Sequence, residues 1–186
     1  STAQNPSHAY AATGTFTAHL WVNDTGGASV HRQTAIVVNA VPRATASASA
    51  SATDVGQAVA FANHVTGGTA PYTLSWDFSD GSGSSVGNPS HAFATSGAFN
   101  VKFTVTDAVG VSASVVVAVT VNPAPVASAS ASTNAPLTGE AVGFTGSATG
   151  GTSPLAYAWA FGDGATSAVQ NPSHAYANPG TYTVKL

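Results

Sequence analysis

The sequence has no cysteine, no methionine and few charged residues. Without cysteine, neither a disulfide framework nor a thiolate metal site can form. Charged side chains make up 6% of the 186 residues, whereas a typical soluble domain has about 25%. The formal net charge is −3 with only four Lys and Arg residues, so the chain has no basic field to attract nucleic acid or anionic lipid. We therefore expect no nucleic-acid partner.

Long apolar runs are also missing. No run approaches the roughly 18 residues of a membrane-spanning helix, and no basic segment followed by an apolar one opens the chain. We expect no membrane span in this segment. A surface built from Ser, Thr, Asn, Gly and Ala is typical of extracellular or cell-surface proteins, which is the location we predict. Because not even an initiator methionine is present, we expect a processed chain or a part of a longer one.

What the sequence does contain is a repeat. The hexapeptide NPSHAY stands at residues 5–10, NPSHAF at 88–93 and NPSHAY again at 171–176, at spacings of 83 residues. The same offset relates Trp76 to Trp159 and Asp80-Gly81 to Asp163-Gly164. Self-similarity over this length indicates one domain of about 83 residues that is repeated in tandem.

The phase of the repeat predicts three segments. Residues 42–124 form a complete domain, residues 1–41 the C-terminal part of a preceding one, and residues 125–186 the N-terminal part of a following one. We call them the middle, first and last repeat. Because a half-domain would leave sheet edges unpaired, we expect a chain cut from a longer array or completed by neighbouring copies. The joining stretches carry Pro42 and Pro125, which favours semi-rigid linkers.

Alternation of apolar and polar residues predicts the fold. From Phe99 to Val105 the odd positions are apolar and the even ones polar, as in a strand with one buried face. Trp76 and Phe78 share one face of a strand that ends at the Asp80-Gly81 turn. Short strands, frequent turns and a central Trp predict an all-β fold of tandem immunoglobulin-like β-sandwiches, joined by short Pro-containing linkers and without disulfides.

Several of these stretches together resemble one family, the PKD (polycystic kidney disease) domain. Its hallmark is Trp-Asp-Phe-Gly-Asp-Gly, then Asn-Pro-x-His-x-Tyr, then Pro-Gly-x-Tyr-x-Val. The matching residues, which we take as structural motif residues, are Trp76, Asp77, Phe78, Asp80, Gly81, Asn88, Pro89, His91 and Phe93, then Trp159, Phe161, Asp163, Gly164, Asn171, Pro172, His174 and Tyr176, and in the first repeat Asn5, Pro6, His8 and Tyr10. Two positions depart from the pattern, Ser79 for Gly and Ala160 for Asp.

The Ser-His pair of the hexapeptide uses the residue types of nucleophilic catalysis. Neighbours such as Ser7 and His8 point in opposite directions on an extended chain and cannot form the hydrogen bond that activates a serine. The preceding Asn-Pro forces an extended backbone, and His and Tyr then share one face. We therefore predict a structural turn, capped by the Asn side chain, no catalytic residues and no enzymatic activity.

The acidic residues suggest a second hypothesis, a calcium site. Asp77, Asp80 and Asp107 could supply oxygen ligands to Ca²⁺. The alternative is that these carboxylates accept hydrogen bonds from their own turns. Ala160 removes one carboxylate from the last repeat, which disfavours a shared metal site. We expect no metal and no cofactor.

Two features of the first repeat are candidates for surface function. Asn23-Asp24-Thr25 is the only N-glycosylation acceptor pattern, since each Asn-Pro-Ser is excluded by its proline. Trp21 follows Leu20, which alternation places inward, so Trp21 points outward and is the best candidate for a surface contact. His19, His31, His64 and Arg32 each occur in one repeat only, which indicates variation on a solvated face or, as the alternative, a contact between repeats.

Two hypotheses for function remain. The first is a non-enzymatic structural array, a stalk, spacer or subunit of a surface filament, sheath or lattice, whose partners are further copies or flanking repeats. Low charge favours it, because free stalks normally keep charge to resist association. The alternative is an accessory module of a secreted hydrolase that binds an extracellular polysaccharide or protein. A hydrolase in its own right has no support in the sequence.

Overall fold

The computed structural model describes residues 1–186, and every regular element in it is a β-strand. The strands are, in chain order, β1 Gly14–Asn23, β2 Ser29–Val38, β3 Arg43–Ala48, β4 Ala52–Asp54, β5 Ala58–Thr66, β6 Thr73–Asp77, β7 Gly83–Ser84, β8 Ser90–Ala92, β9 Gly97–Thr106, β10 Ser112–Asn122, β11 Val126–Ala131, β12 Ala141–Thr149, β13 Trp159–Ala160, β14 Thr166–Ser167 and β15 Ser173–Ala175. No helix is present that is long and apolar enough to cross a bilayer. The predicted all-β class is confirmed.

The middle repeat is a sandwich of two sheets. One sheet has the order β4-β10-β9-β6-β7 and the other β3-β5-β8. β4 joins β10 in parallel and the remaining pairs are antiparallel. The core between the sheets consists of Val59, Phe61, Trp76, Phe78, Phe93, Val101, Phe103, Val105, Val119 and Val121. This arrangement confirms the predicted immunoglobulin-like sandwich without a disulfide.

Alternation along the strands explains why this core forms. Val101, Phe103 and Val105 of β9 are fully buried, while Lys102 between them is exposed. Burial of each such side chain stabilises the fold by about 1.5–3 kcal/mol. The Ala- and Ser-rich strand β3 lies at the edge of its sheet and pairs only with β5, and its alanines are half-buried against the core.

The last repeat reproduces most of this framework. β11, β12, β14 and β15 each begin 83 residues after β3, β5, β7 and β8. They form sheets β11-β12-β15 and β13-β14 around a smaller core. That core consists of Val142, Phe144, Trp159, Phe161 and Tyr176.

The first repeat contributes one long hairpin, in which β1 pairs with β2 from Gly14↔Val38 to Asn23↔Ser29. Leu20 and Val22 are 57% and 53% exposed, so the expectation that Leu20 faces a core is wrong for these residues. Their equivalents Phe103 and Val105 are fully buried. The difference arises because no second sheet packs on this face of the hairpin within residues 1–186.

Candidate functional site

The histidine of the middle hexapeptide pairs with the aspartate of the preceding turn. His91 Nε2 lies 2.6 Å from Asp80 Oδ2 and donates a hydrogen bond to it. The imidazole stacks on Phe78, with centroids 4.1 Å apart and planes within 10°. Phe93 meets its edge at 4.7 Å. The His91 imidazole is thus hydrogen-bonded to a carboxylate through Nε2 and packs against two aromatic rings.

The last repeat builds the same contact. His174 Nε2 lies 2.7 Å from Asp163 Oδ2, and its ring stacks on Phe161 at 4.3 Å with planes within 11°. Tyr176 meets the imidazole edge at 4.8 Å and donates its hydroxyl to the Phe161 carbonyl at 3.1 Å. Burial raises the pKa of the Tyr176 phenol.

The first repeat retains the aromatic half of this arrangement. His8 contacts the edge of Tyr10 at 4.7 Å, and Tyr10 stacks on Phe16 at 4.6 Å. Pro6 and Asn5 precede them in an exposed segment without strand pairing. The edge contact between the histidine and the aromatic residue two positions later therefore occurs in all three repeats.

The Asn-Pro that opens the hexapeptide of the middle and last repeats hydrogen-bonds this loop to a neighbouring strand. Asn88 Oδ1 accepts a hydrogen bond from the Asn63 backbone N–H of β5 at 3.1 Å, and the Pro89 carbonyl accepts one from Phe61 N–H at 2.8 Å. In the last repeat Asn171 Oδ1 and the Pro172 carbonyl accept from Gly146 and Phe144 of β12 at 3.0 and 2.8 Å. The proline carbonyl and asparagine amide thus extend the ladder of β5 and of β12.

The Asp-Gly turns position the two carboxylates. Asp80 Oδ1 accepts from the Ser82 backbone N–H at 2.9 Å, and Asp163 Oδ1 accepts from Ala165 N–H at 3.0 Å. Gly81 and Gly164, with φ of 89° and 96°, supply the left-handed residue between donor and acceptor. Each carboxylate is therefore fixed by its own turn before it meets the histidine.

Hydrogen bonds control the ionisation of both carboxylates. Partial burial raises the pKa of Asp80, but hydrogen bonds from Ser82 and His91 outweigh this effect and bring it from 3.8 to about 2. The Ala165 N–H, followed by His174, lowers the pKa of Asp163. Both aspartates are ionised at neutral pH and stabilise the adjacent imidazoles.

A serine hydroxyl does lie near His91, but the geometry is not that of a catalytic triad. Ser82 Oγ is 3.4 Å from His91 Nε2 and donates to Asp80 Oδ1 at 2.5 Å. A triad places the carboxylate on one imidazole nitrogen and the serine on the other, whereas here both approach Nε2. Ala165 replaces Ser82 in the last repeat. Ser90 of the hexapeptide points elsewhere and donates to the Val59 carbonyl at 3.5 Å.

The carboxylates considered as calcium ligands accept hydrogen bonds from backbone amides. Asp77 Oδ1 accepts from Ser79 N–H at 2.8 Å. Asp107 accepts from the N–H groups of Thr69, Val109 and Val111 at 3.1, 3.1 and 2.8 Å. Burial raises the pKa of Asp107, but these backbone donors outweigh it and lower the value. No three His, Cys, Asp or Glu side chains come close enough to hold a metal ion.

A cavity of about 690 Å³ lies in the last repeat. Aromatic and aliphatic side chains such as Trp159, Tyr176, Tyr182 and Val184 line it. No Asp, Glu, His, Lys or Arg does so. The cavity therefore has no carboxylate, imidazole or cationic side chain in its lining.

The junction between the middle and last repeats is hydrogen-bonded across the linker. Thr152 Oγ1 donates to Asp54 Oδ1 at 2.6 Å and accepts from Asn122 Nδ2 at 3.0 Å. Asp54 and Asn122 are paired residues of β4 and β10, so the edge of one sandwich binds a loop of the next. The Gly151 N–H also donates to the Pro123 carbonyl at 2.7 Å.

The preceding junction repeats part of this pattern. Asn39 Nδ2 donates to Thr69 Oγ1 at 2.9 Å, and the Gly68 N–H donates to the Ala40 carbonyl at 2.6 Å. Residues 39 and 69 stand 83 positions before residues 122 and 152. We call the Asn-Thr pair and the Gly N–H contact the junction clamp. Its signal in the sequence is the recurrence of Asn, Thr and Gly-Gly at this offset, which strand alternation does not reveal.

Glycine is required in the clamp because the loop passes close to the linker. Gly150 and Gly151 have φ of 72° and 70°, where side chains are unfavourable. A Cβ on Gly150 would lie 2.6 Å from the Ala124 carbonyl oxygen. Only glycine fits this approach without displacement of the linker.

The two surface candidates lie on the outer face of the first hairpin. Trp21 is 60% exposed. Asn23 is the last residue of β1 and is also exposed. Neither residue approaches the histidine–aspartate pairs of the other repeats.

Comparisons with known proteins found a family match and two further similarities. A family model described as the PKD domain matches residues 39–121 and 122–186. Collagenase ColA of Bacillus cereus is 56% identical over 32 residues, which is 17% of this chain and 3% of the collagenase. A solved structure from work on the promiscuous specificity of carbohydrate-binding modules of the β-sandwich superfamily aligns with TM-score 0.40 and 16% identity over 78% of this chain and 82% of that one.

The family match spans well over half of the chain, and it falls on the Trp-Asp-Phe and Asn-Pro-x-His stretches whose geometry is described above. It confirms the resemblance identified from those residues. The chain belongs to the PKD domain family.

Proposed function

We propose that this chain is a non-enzymatic extracellular spacer, in which PKD domains follow one another at a fixed angle. The observation that carries the proposal is the junction clamp, which binds the loop of one repeat to the linker and sheet edge of the repeat before it. A spacer transmits position, so it needs defined geometry between units more than it needs a reactive site.

The strength of the clamp can be judged from its parts. A hydrogen bond to a charged group contributes about 1.5–3 kcal/mol and a neutral one about 0.5–1.5 kcal/mol. At the second junction one bond to the Asp54 carboxylate adds to bonds from Asn122 and Gly151. Since each 1.4 kcal/mol is about tenfold in population, the clamp favours one orientation over a freely rotating linker.

The structural contacts of the motif histidines and of the turn carboxylates support a non-enzymatic role. Each motif histidine that meets a carboxylate is committed to it through Nε2 and is stacked on a ring. Both groups hold the loop in place. Membership of the PKD family and the similarity to a collagenase segment support an extracellular location.

Small-angle X-ray scattering tests the spacer proposal. The intact chain should scatter as a single conformer, whereas a double variant, Asp54→Ala with Thr152→Val, should show a broader pair-distance distribution while its circular dichroism stays that of folded β-sheet. Thr152→Ser keeps the hydroxyl and serves as the matched control. Equal flexibility of the intact chain and the double variant would contradict the proposal.

We further propose that the spacer associates with copies of itself in a filament, sheath or lattice. The whole chain has only eleven Lys, Arg, Asp and Glu residues. With so few charges, electrostatic repulsion between copies is too weak to oppose association. Sedimentation at rising concentration should show reversible oligomers. A monomer at every concentration would argue against self-association and would leave the spacer role untouched.

A second candidate is an accessory module of an extracellular hydrolase. The segment shared with Collagenase ColA favours it. Co-sedimentation with insoluble collagen and with insoluble polysaccharides tests it, with Trp21→Ala as the control for aromatic contact. A pure spacer stays in the supernatant.

A further inference from the structure

The outer face of the β1–β2 hairpin carries a cluster of three rings. His19 Nδ1 and His31 Nε2 are 2.9 Å apart, with ring centroids at 5.1 Å and planes within 12°. These values fit two imidazoles joined edge to edge in one plane. The indole of Trp21 lies over both, at 5.2 Å from His19 and 4.6 Å from His31, with planes within 22° and 19°. One indole face is supported, and the side chain is still 60% exposed.

The fold itself does not need these rings. The middle repeat has Lys102, Thr104 and Ser114 at the three equivalent positions. Its strands β9 and β10 pair through Thr104↔Ser114, in the register in which Trp21 pairs with His31. The same hairpin therefore forms without any aromatic residue on this face. Exposed aromatic rings that packing does not require are suited to contact with another group.

The glycosylation acceptor lies beside this cluster. Asn23 is two residues beyond Trp21 on the same strand, so both side chains leave the same face about 7 Å apart. Asn23 and Thr25 are both exposed, as an acceptor requires. Thr106 and Ala108 occupy the equivalent positions of the middle repeat. Acceptor and ring cluster therefore occur together, and in the first repeat alone.

The hairpin turn leaves the Asn23 amide available. Asp24 closes the turn, because its N–H donates to the Ala28 carbonyl at 2.9 Å and its Oδ1 accepts from the Ala28 N–H at 2.7 Å. Asp107 makes the equivalent contacts with Val111 in the middle repeat. Modification of Asn23 would therefore not disturb the contacts that hold the turn.

We propose that Asn23 carries an N-linked glycan whose first sugar ring stacks on the free face of Trp21. The glycan donor is a polyisoprenyl-pyrophosphate-linked oligosaccharide. Asn23 Nδ2 attacks the anomeric carbon of its N-acetylhexosamine, the C–N bond forms, the C–O bond to pyrophosphate breaks, the amide nitrogen loses one proton, and the lipid pyrophosphate leaves. The C–H face of the sugar then covers the indole, whose underside rests on the imidazole pair. The inference rests on the extracellular placement in the proposed function, since export exposes the chain to this transfer.

The other tryptophans make the stacking measurable. Trp76 and Trp159 are 1% and 2% exposed, so acrylamide quenches the fluorescence of Trp21 alone. The chain is secreted from a eukaryotic host that performs N-glycosylation and is compared with Thr25→Ala from the same host, which lacks the acceptor. Peptide mass spectrometry should find Asn23 modified, and peptide N-glycosidase should convert it to Asp. Quenching should fall by roughly twofold or more relative to Thr25→Ala, because the sugar shields the indole.

A second variant separates stacking from attachment. Trp21→Thr installs the residue of the middle repeat and keeps the acceptor. Removal of the glycan should lower the melting temperature of the original chain and leave that of Trp21→Thr unchanged. Unmodified Asn23, or equal quenching with and without the glycan, would overturn the inference, as would capture of a free polysaccharide by an uncovered Trp21. The small-angle X-ray scattering test of the junction clamp is independent of all these outcomes. The spacer proposal therefore stands even if the glycan proposal is wrong.

Discussion

His91 illustrates how a residue type associated with catalysis can serve the fold. Its Nε2 binds Asp80 while its ring lies between Phe78 and the edge of Phe93. Because adjacent residues on an extended chain cannot form a Ser–His pair, the sequence favoured a structural role. The partner was not evident from the sequence, because Asp80 lies eleven residues earlier, in the turn between β6 and β7, whereas His91 lies on β8 of the other sheet.

Loss of the imidazole should destabilise the middle repeat. His91→Ala removes a hydrogen bond to an ionised carboxylate and a stacked ring, so we predict a loss of about 1.5–3 kcal/mol in the free energy of unfolding. Urea denaturation followed by tryptophan fluorescence measures it. His64→Ala, on the exposed side of β5, is the matched control and should change the free energy by less than about 0.5 kcal/mol. Equal effects of the two variants would show that the His91 contact contributes nothing.

Asp80 gives the fold a defined response to acid. Its pKa is lowered from 3.8 to about 2, so the stability that it contributes is fully present above its unfolded pKa and is lost as pH falls from about 4 towards 2. We predict that Asp80→Asn is less stable at pH 7 and loses less further stability than the original chain between those values. Denaturation at a series of pH values measures both curves. Parallel curves would contradict the assignment.

The loop between β12 and β13 is the element that binds one repeat to the linker. Gly150→Ala adds a Cβ that would lie 2.6 Å from the Ala124 carbonyl oxygen, in a residue with φ of 72°. Gly139→Ala has φ of 80° but no atom within 4 Å of the added carbon. Left-handed backbone costs an alanine about 1–2 kcal/mol at either site, and steric contact adds to this only at Gly150.

We therefore predict a larger loss of unfolding free energy for Gly150→Ala than for Gly139→Ala, together with faster hydrogen exchange at the Gly151 amide. Urea denaturation and exchange followed by NMR supply the two numbers. If both substitutions lower the free energy of unfolding equally and the Gly151 amide stays protected from exchange, the close approach of loop and linker is wrong.

Alternation and turn residues predict the main strands of the middle repeat, because β5, β6, β9 and β10 each bury one face. Trp76, Phe78 and Phe103 are buried as their spacing indicates. Leu20 follows the same pattern yet is exposed, because alternation assigns a side chain to a face and does not say whether a second sheet covers that face. Asp54 could not be found, because Leu137 stands at its equivalent position and the repeat carries no signal there.

Ser79 shows what a family pattern adds to such reasoning. The resemblance noted a serine where the family has glycine, and the structure places Ser79 at φ of 62°, the one non-glycine residue with positive φ. Its hydroxyl donates to the Asn100 carbonyl at 2.6 Å, which offsets part of the backbone strain. In the last repeat Gly162 occupies this position at φ of 90°. Sequence spacing alone gave no reason to expect a left-handed residue there.

At the scale of the whole molecule, the arrangement of successive domains depends on the junctions between them. Each sandwich has its own core, and each of the two linkers is bound by the following Gly-Gly loop. The Asn-Thr pair and the Gly N–H contact of the clamp recur 83 residues apart, at both junctions. Repetition of one angle is how a spacer of defined shape is built from identical parts.

The most direct test of this account is the distance between equivalent points of the middle and last repeats. Ser85 and Ala168 are exposed and 83 residues apart, and since the chain has no cysteine, Ser85→Cys with Ala168→Cys accepts spin labels at these two sites alone. Double electron–electron resonance should give one narrow distance distribution, which broadens when Asp54→Ala and Thr152→Val are added. A distribution that is already broad in the clamped chain would contradict the claim that these repeats form a spacer of fixed geometry.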